Sequence, residues 1–363
     1  MHMLQFSCEK TLLQSAVNTA SRTVAAKSSI PALEGLLLEG DEQLTVSGYN
    51  MQTGIRTSFD ADIREGGRIV LNARLFGEII RKMPDDVIVF SADDKLLVRL
   101  SCGDASFEIP GLSAEDYPDL PEVDDEYSVA IQQRTLKAMI NQTSFAVSTN
   151  ESRPVYMGTL FEIAHNELTM VSVDGYRLAL RREPVEGYGD DCSFIVPGTA
   201  LSDLERLCGD SDERVKMSVG STVILSRRLE GDFLNYKKAI PESFRITVKT
   251  ARTDLLDVVE RVSLIVDSKN NAPLRLTFRK DAIDFVCTTP LGKAADSCPC
   301  EGDGGDLEIG FNDHYLSDAL KAAPADELNV CLNTGSSPCI FVPADGSDNF
   351  VYMVLPVRLR AGQ

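Results

Sequence analysis

Residues whose chemistry could support catalysis or metal binding are few in this chain and are poorly spaced for either. Cys298 and Cys300 are separated by one residue, whereas paired metal-binding cysteines are usually about two to four residues apart and are followed by a second pair. His314 follows Asp313 at a predicted helix start, where the aspartate could cap the helix. We therefore predict no metal site and no cofactor.

The sequence also lacks the motifs of common enzyme classes. Gly292 and Lys293 match the end of a phosphate-binding loop, but the upstream glycine and the following hydroxyl residue are missing. The segment GDGGD at 302–306 has the composition of a turn, and no nucleophile elbow or zinc-protease motif occurs. We expect a protein that is not an enzyme. A catalytic site assembled from unlike loops remains the disfavoured alternative.

The composition is that of a soluble protein with two or three domains: 363 residues, 43% hydrophobic and 25% charged. No apolar run is long enough to span a membrane. The nine cysteines are odd in number and irregularly spaced, which indicates a reducing compartment and a cytoplasmic location. The net charge of −19 argues against nucleic-acid binding, which depends on lysine and arginine.

The elements that would position any site are repeated three times along the chain. Segments 9–25, 133–148 and 252–267 carry apolar residues at helical spacing, and each is followed by alternating strands, a second helix and more strands. We align Leu12, Leu136 and Leu255 in the first helices, and Leu71, Val196 and Gly310 just before the second helices.

The repeat length of about 120 residues indicates one α+β domain tripled within the chain. Because proline and acidic residues gather at 117–127 and 239–244, we predict domains at 1–124, 125–245 and 246–363. Three related small domains without any implied mechanism are the simpler alternative.

Five motifs in this order resemble the bacterial DNA polymerase III beta subunit family, the sliding clamps. They are SIPALEGLLLE (29–39), VDGYRLAL (173–180), NYKKAIP (235–241), GFNDHYLSDAL (310–320) and VLPVRL (354–359). The resemblance implies the DNA clamp fold, with three domains per chain in a head-to-tail homodimer. Helices would line a central hole, and antiparallel sheets would form the outside of the ring.

The resemblance also implies the function of a processivity factor in DNA replication. Such a ring encircles double-stranded DNA without sequence preference and tethers replicative and repair polymerases. The implied protein partners are the DNA polymerase III catalytic subunit, the clamp loader and other polymerases or repair proteins, bound through short peptides that contain leucine and phenylalanine.

The charge distribution is compatible with this role, because the predicted helices together carry a small positive charge although the chain is acidic. A few cations facing many phosphates would give weak, salt-sensitive contact, which suits sliding. The alternative for each cation is an ordinary solvated charge. The predicted DNA-facing residues are Arg22, Lys27, Arg74, Arg81, Lys82, Arg134 and Lys137.

The segment YMVLPVRLR at 352–360 is unusually apolar, and it could be a last strand with Met353, Leu355 and Val357 facing the core. Asp174-Gly175 is a good hairpin turn and could be no more than that. In the family, both segments wall a peptide-binding groove. The residues implied for the groove are Tyr156, Val173, Gly175, Tyr176, Arg177, Leu178, Leu234, Lys238, Ala239, Asn312, Tyr315, Ser337, Met353, Val354, Leu355, Pro356, Val357 and Arg358.

Two groove positions depart from the family pattern, since Tyr176 replaces a common histidine and Leu234 a common proline. We expect them to alter pocket depth or partner preference. The resemblance further implies a dimer interface at Phe107, Ile109, Leu264 and Ile265, for which core packing is the alternative.

Overall fold

The structure is a computed structural model that describes residues 4–120, 128–188, 191–208, 214–216, 218–219, 222–226, 229–266 and 272–359. In chain order the strands are β1 (Gln5–Glu9), β2 (Gly35–Gly40), β3 (Leu44–Tyr49), β4 (Thr53–Phe59), β5 (Asp62–Glu65), β6 (Gly67–Asn72), β7 (Val87–Ala92), β8 (Leu97–Cys102), β9 (Ala105–Pro110), β10 (Ser128–Gln132), β11 (Gly158–Ala164), β12 (Glu167–Val173), β13 (Arg177–Pro184), β14 (Glu186–Tyr188), β15 (Cys192–Pro197), β16 (Arg214–Lys216), β17 (Ser218–Val219), β18 (Thr222–Ser226), β19 (Ile246–Ala251), β20 (Leu274–Thr289), β21 (Gly292–Phe311), β22 (Glu327–Leu332), β23 (Cys339–Pro343) and β24 (Phe350–Val354). The α-helices are α1 (Lys10–Ala20), α2 (Ala73–Lys82), α3 (Gln133–Ser144), α4 (Gly198–Leu207), α5 (Tyr236–Ala239), α6 (Arg252–Ser263) and α7 (Asp313–Ala322).

The chain forms two compact units. The first comprises the described residues within Met1–Gln133, Gly187–Gly189 and Arg206–Arg227, and the second those within Arg134–Glu186, Asp190–Glu205 and Arg228–Gln363. Strands pair across the predicted joins, as β18 does with β4 and β13 with β24, and the division into three domains stays a prediction. The predicted join at residues 124 and 125 lies outside the described residues.

The first unit contains a five-stranded sheet, β5-β1-β7-β8-β9, and a nine-stranded sheet, β14-β10-β16-β17-β18-β4-β3-β2-β6. Helices α1 and α2 share one core with both sheets, in which Leu13, Val17 and Phe76 are fully buried beside Leu38 and Phe90. Each such side chain contributes about 1.5–3 kcal/mol to folding. Antiparallel pairing and packed helices confirm the predicted α+β class.

Our alignment of the first helices was wrong by one residue. Counted from the helix starts, the equivalent of Leu136 and Leu255 is Leu13, which is fully buried, whereas Leu12 is 42% exposed. The adjacent leucines made the two registers indistinguishable in the sequence. The alignment before the second helices was also wrong by one residue. Phe311 pairs with Leu274 as Leu71 pairs with Leu36, so the equivalent of Leu71 is Phe311 and not Gly310.

The second unit is built on a ten-stranded sheet in the order β15-β11-β12-β13-β24-β23-β22-β19-β21-β20. Strand β24, near the end of the chain, lies in the middle of this sheet, between β13 and β23. One core lies under α6 and α7 and includes Phe278, Phe311 and Tyr352. A second apolar cluster lies between β11–β13, α5 and β22–β24 and includes Leu178 and Met353.

Helix α7 begins at Asp313 because the side chain of Asn312 accepts a hydrogen bond from the Tyr315 amide at 3.1 Å. Its buried face, Leu316, Ala319 and Leu320, packs into the core. With Asp313, Asp318 and Lys321, the helix carries one net negative charge.

The nine cysteines are all free thiols, and most are buried. Burial raises the pKa of the Cys300 thiol to about 11, with a smaller contribution from Cys298. Within the described ranges, no three His, Cys, Asp or Glu side chains are grouped so that they could hold a metal ion. Among the described helices, none is both long and apolar enough to cross a membrane.

Candidate functional site

The turn between β12 and β13 carries several of the predicted groove residues. Gly175 has a φ of +95°, a conformation that glycine adopts without strain. The Asp174 Oδ1 atom accepts hydrogen bonds from the amides of Tyr176 and Arg177 at 2.9 and 3.0 Å. The turn therefore has a fixed backbone shape, as the Asp-Gly pair predicts.

Arg177 connects this turn to helix α7. Its Nε donates to Asp174 Oδ2 at 2.9 Å, and its Nη1 donates to Asp318 Oδ2 at 2.6 Å. The guanidinium carbon lies 4.7 Å from the ring centre of Tyr315 and 5.4 Å from that of Phe145. Because the Arg177 side chain is only 12% exposed, both ion pairs are partly shielded from water.

Two tyrosines stack at the edge of the site. The ring centres of Tyr176 and Tyr315 are 5.7 Å apart, and the ring planes are inclined to each other by 21°. Tyr176 is 60% exposed, so most of its surface is open to a ligand. Burial, followed by the nearby carboxylate of Asp174, raises the pKa of the Tyr315 hydroxyl. Tyr315 is therefore neutral at physiological pH.

The apolar segment after β24 lies against the same turn. The Leu355 amide donates to the Tyr176 carbonyl at 2.8 Å, and the Val357 amide donates to the Gly310 carbonyl at 2.8 Å. Met353 and Val354 are buried, Leu355 and Pro356 are half-buried, and Val357 is 38% exposed. The core-facing interpretation thus holds for Met353 but not for Val357, because the strand ends at Val354.

An apolar cluster lies below these polar contacts. It brings together Val173, Leu178 and Met353, with Tyr156 packed against its side. The Tyr156 ring meets that of Phe233 edge-on, with centres 5.7 Å apart. Because Val173 and Leu178 are almost fully buried, they support the floor of the site more than they line its surface.

The remaining predicted groove residues lie around this floor. Leu234 is 36% exposed and precedes α5, whose N-terminus is capped by Asn235 and which carries Lys238 and Ala239. Asn312 caps α7, and Ser337 is hydrogen-bonded to Thr334 in the loop between β22 and β23. Arg358 is exposed.

Sequence reasoning missed Asp318 and Phe145 as members of this site. Asp318 is 141 residues from Arg177, so no local pattern signals their contact. Phe145 follows α3 and reads as an ordinary apolar helix residue. Asp174 was recognised for its turn but not as a partner of the Arg177 side chain.

The predicted DNA-facing cations lie on or near helices. In the first unit, Arg22, Lys27, Arg74 and Lys82 are exposed, and Arg81 forms an ion pair with Glu78. The hydrogen bond from Arg81 and the charges of the neighbouring basic residues lower the pKa of Glu78. In the second unit, Arg134 and Lys137 lie in the first two turns of α3.

The predicted interface residues differ in exposure. Phe107 lies on the edge strand β9 and is 39% exposed, and Leu264 is 83% exposed just after α6. Ile109 is buried in the core of the first unit, and Ile265 packs against the core under α6, as the core-packing alternative requires. Their role in an interface stays a prediction.

Comparison with known proteins gives consistent matches along the whole chain. Residues 4–121, 130–236 and 237–358 match the models of the N-terminal, central and C-terminal domains of the DNA polymerase III beta subunit. The chain is 29% identical to a beta sliding clamp of Staphylococcus epidermidis, over 98% of this chain and all of that protein.

Solved structures agree with these matches. A DNA polymerase sliding clamp from Bacillus subtilis superposes with a TM-score of 0.94 at 26% identity, covering 99% of this chain and all of that one. The beta subunit of the DNA polymerase of Streptococcus pyogenes gives a TM-score of 0.91 at 26% identity, covering 98% and 100% of the two chains.

Proposed function

The chain belongs to the DNA polymerase III beta subunit family, and from this we propose that it is a DNA sliding clamp. It would close around duplex DNA as a homodimeric ring and hold polymerases on the template. The observation that carries the proposal is the succession of three family-domain matches over nearly the whole chain, with no other domain between them. As a processivity factor it would have no catalytic site of its own.

We propose that the exposed cations of the helices contact the DNA backbone. Arg22, Lys27, Arg74 and Lys82 are available for phosphate contact in the first unit. Such contacts carry no sequence information, so they allow movement along the duplex. Enclosure, rather than a tight chemical grip, would keep the protein on DNA despite its net charge of −19.

We propose that the site around the 174–177 turn binds short peptides of polymerases, of the clamp loader and of repair proteins. An apolar floor beside the exposed ring of Tyr176 suits leucine and phenylalanine anchors. Two such anchors supply about 3–6 kcal/mol. Since a micromolar complex requires about 8 kcal/mol, backbone hydrogen bonds at the rim must supply the remainder. Binding would therefore be weak enough for partners to exchange.

For the dimer interface, the best test residue is Leu264, because its exposure separates association from folding. Leu264→Glu should weaken dimerisation at least tenfold in analytical ultracentrifugation while leaving the unfolding temperature unchanged. Leu291→Glu is the matched control, since Leu291 is also an exposed leucine, at 70%. Ile265→Glu is less informative because that side chain packs against the core. A wild-type chain that is monomeric at micromolar concentration would contradict the ring.

DNA encirclement is tested by topology. After loading by a clamp loader, the protein should co-elute with nicked circular DNA and should leave when the circle is cut to a linear molecule. A protein-interaction scaffold that never contacts DNA is the second candidate, favoured by the acidic net charge. Equal absence from circular and linear DNA would support the scaffold. We place the activity in the cytoplasm, in keeping with nine free thiols.

A further inference from the structure

Asp318 binds the side chain of Arg177 in the candidate groove but is not one of the residues implied for peptide contact. We propose that Asp318 is a positioning residue: by holding Arg177, it fixes the turn of residues 174–177 against α7 and keeps Tyr176 stacked on Tyr315. This inference rests on the proposed peptide-binding function and adds a residue to it.

The turn needs such a contact because its Gly175 tip is open and because the hydrogen bond from the Leu355 amide to the Tyr176 carbonyl ties the turn to the tail, not to α7. No atom lies within 4 Å of the position that a Cβ on Gly175 would occupy, and Tyr176 is 60% exposed. The hydrogen bonds that the Asp174 carboxylate accepts set the local shape of the turn, but they join residues three or fewer positions apart. They cannot fix where the turn lies relative to a helix that is more than a hundred residues away in the chain.

Arg177 is suited to transmit the position of α7 to the turn. Its guanidinium bridges two carboxylates, that of Asp174 in the same turn and that of Asp318 on the helix. A planar guanidinium holds two carboxylates in a defined geometry, which a flexible ammonium would not do. The same group lies over the Tyr315 ring, so the ion pair and the aromatic stack share one residue.

Helix α7 is the rigid partner in this arrangement. Tyr315 and Asp318 are three residues apart and therefore lie on one face of the helix. The opposite side, with Leu316 and Leu320, is fixed in the core. Removal of the Asp318 carboxylate should therefore release the turn rather than move the helix, and the stacked ring of Tyr176 should lose its preferred position.

The test is an Asp318→Asn substitution in the full-length chain. The probe is a fluorescein-labelled hexapeptide ending in leucine and phenylalanine, and its dissociation constant is measured by fluorescence anisotropy. We expect about fivefold or greater weakening with an unchanged unfolding temperature, since Asp318 is 43% exposed and asparagine is nearly isosteric. Asp318→Glu, which keeps the charge, should restore part of the affinity.

Glu260→Gln is the matched control. It removes one carboxylate from another ion pair of α7, which does not include Arg177: the Lys321 Nζ atom lies 2.8 Å from Oε1 of Glu260 on α6. This variant should bind the peptide as the wild type does. If Glu260→Gln weakened peptide binding as much as Asp318→Asn does, the loss of any negative charge near α7 would explain the effect, and the inference would be wrong.

A double variant separates positioning from an independent contribution. If Asp318 acts through Arg177, then Arg177→Gln with Asp318→Asn should bind the peptide no more weakly than Arg177→Gln alone. Additive losses, or wild-type affinity of Asp318→Asn, would contradict the inference while leaving the groove intact. A wild-type chain that does not bind the peptide would contradict the proposed groove itself, and the inference with it.

Discussion

The 174–177 turn with its neighbouring tail and the α1–α2 helix pair are both expected to bind partners, yet they are organised in opposite ways. At the turn, side chains from distant segments are joined by ion pairs, ring stacking and backbone hydrogen bonds. On α2, by contrast, Arg74 and Lys82 are exposed, and Arg81 forms an ion pair with Glu78 of the same helix.

This difference corresponds to the kind of ligand each region would bind. A peptide with defined anchors requires walls at fixed distances, and fixed distances require cross-links between segments. A sliding contact with phosphates requires charge but no fixed geometry, so mobile side chains are sufficient. Single substitutions should consequently have large effects at the turn and small, additive effects on the helices.

The largest effect is expected from Gly310→Ala. The new Cβ would lie 2.7 Å from the Val357 carbonyl oxygen and 2.7 Å from Leu359 Cδ2, so the tail would have to move away from β21. We expect a loss of about 1–3 kcal/mol of stability and about tenfold weaker peptide binding. Denaturant titration and peptide anisotropy measure the two quantities.

Gly304→Ala is the control for this prediction. It creates a comparable clash on the same strand, with Phe278 Cβ at 2.3 Å, but not against the tail. It should lower stability without weakening peptide binding. Wild-type peptide affinity in Gly310→Ala would show that the tail does not form a wall of the groove.

On the helices, removal of two cations should weaken DNA contact only gradually. Arg74→Ala combined with Lys82→Ala should reduce the slope of log affinity against log salt concentration by about 2 for a short labelled duplex. Stability should change by less than about 0.5 kcal/mol, because both side chains are exposed.

Arg64→Ala with Lys95→Ala makes the same change in net charge on a strand and a turn of the same unit. If this control pair reduced the salt dependence equally, DNA contact would depend on overall charge and not on the helix surface.

Alkaline pH should destabilise the core beneath the helices. Burial, and then the charge of Glu9, raises the pKa of the Cys8 thiol from 9.0 to about 12. Since the unfolded chain loses this proton first, the contribution of Cys8 is complete below pH 9 and is lost as the pH rises toward 12. Cys8→Ala should therefore reduce the loss of stability between pH 8 and 11 in denaturant titrations.

Val46→Ala shortens another side chain of the same core without removing an ionisable group. It should keep the wild-type pH dependence at lower overall stability. An unchanged pH dependence in Cys8→Ala would assign the alkaline effect to the other buried thiols and tyrosines.

The smallest effect is a gain. A Cβ at Gly77, within α2, would meet only Val17 Cγ1, at an ordinary contact distance of 3.7 Å. Gly77→Ala should therefore stabilise the protein by about 0.5–1 kcal/mol through helix propensity, as measured by denaturant titration. A loss of stability in Gly77→Ala would mean that α1 and α2 pack too tightly to accept an additional methyl group, as the tail does on β21.

The parts of the structure that the sequence predicted are those with local signals. The helices follow from apolar spacing, and the turn follows from Asp174-Gly175 because few residues other than glycine adopt its backbone conformation. The Leu12 alignment failed because neighbouring leucines leave the helical phase undetermined by one residue.

The contacts that complete the site have no such signal. The Arg177–Asp318 ion pair joins segments 141 residues apart, and the pairing of β13 with β24 depends on the whole sheet. Family resemblance placed Tyr176 and Tyr315 in one site. Their stacking depends on the distance between the turn and α7, which the sequence does not encode in any local pattern.

The central place of β24 has a consequence for biosynthesis. While a ribosome is still making the residues before Phe350, β13 and β23 each present an unpaired edge, because the strand that joins them has not yet emerged. Exposed edges of this kind invite pairing with other nascent chains. The proposed peptide groove would thus be completed only after β24 has been made, so that translation products truncated before Phe350 could not compete for partners.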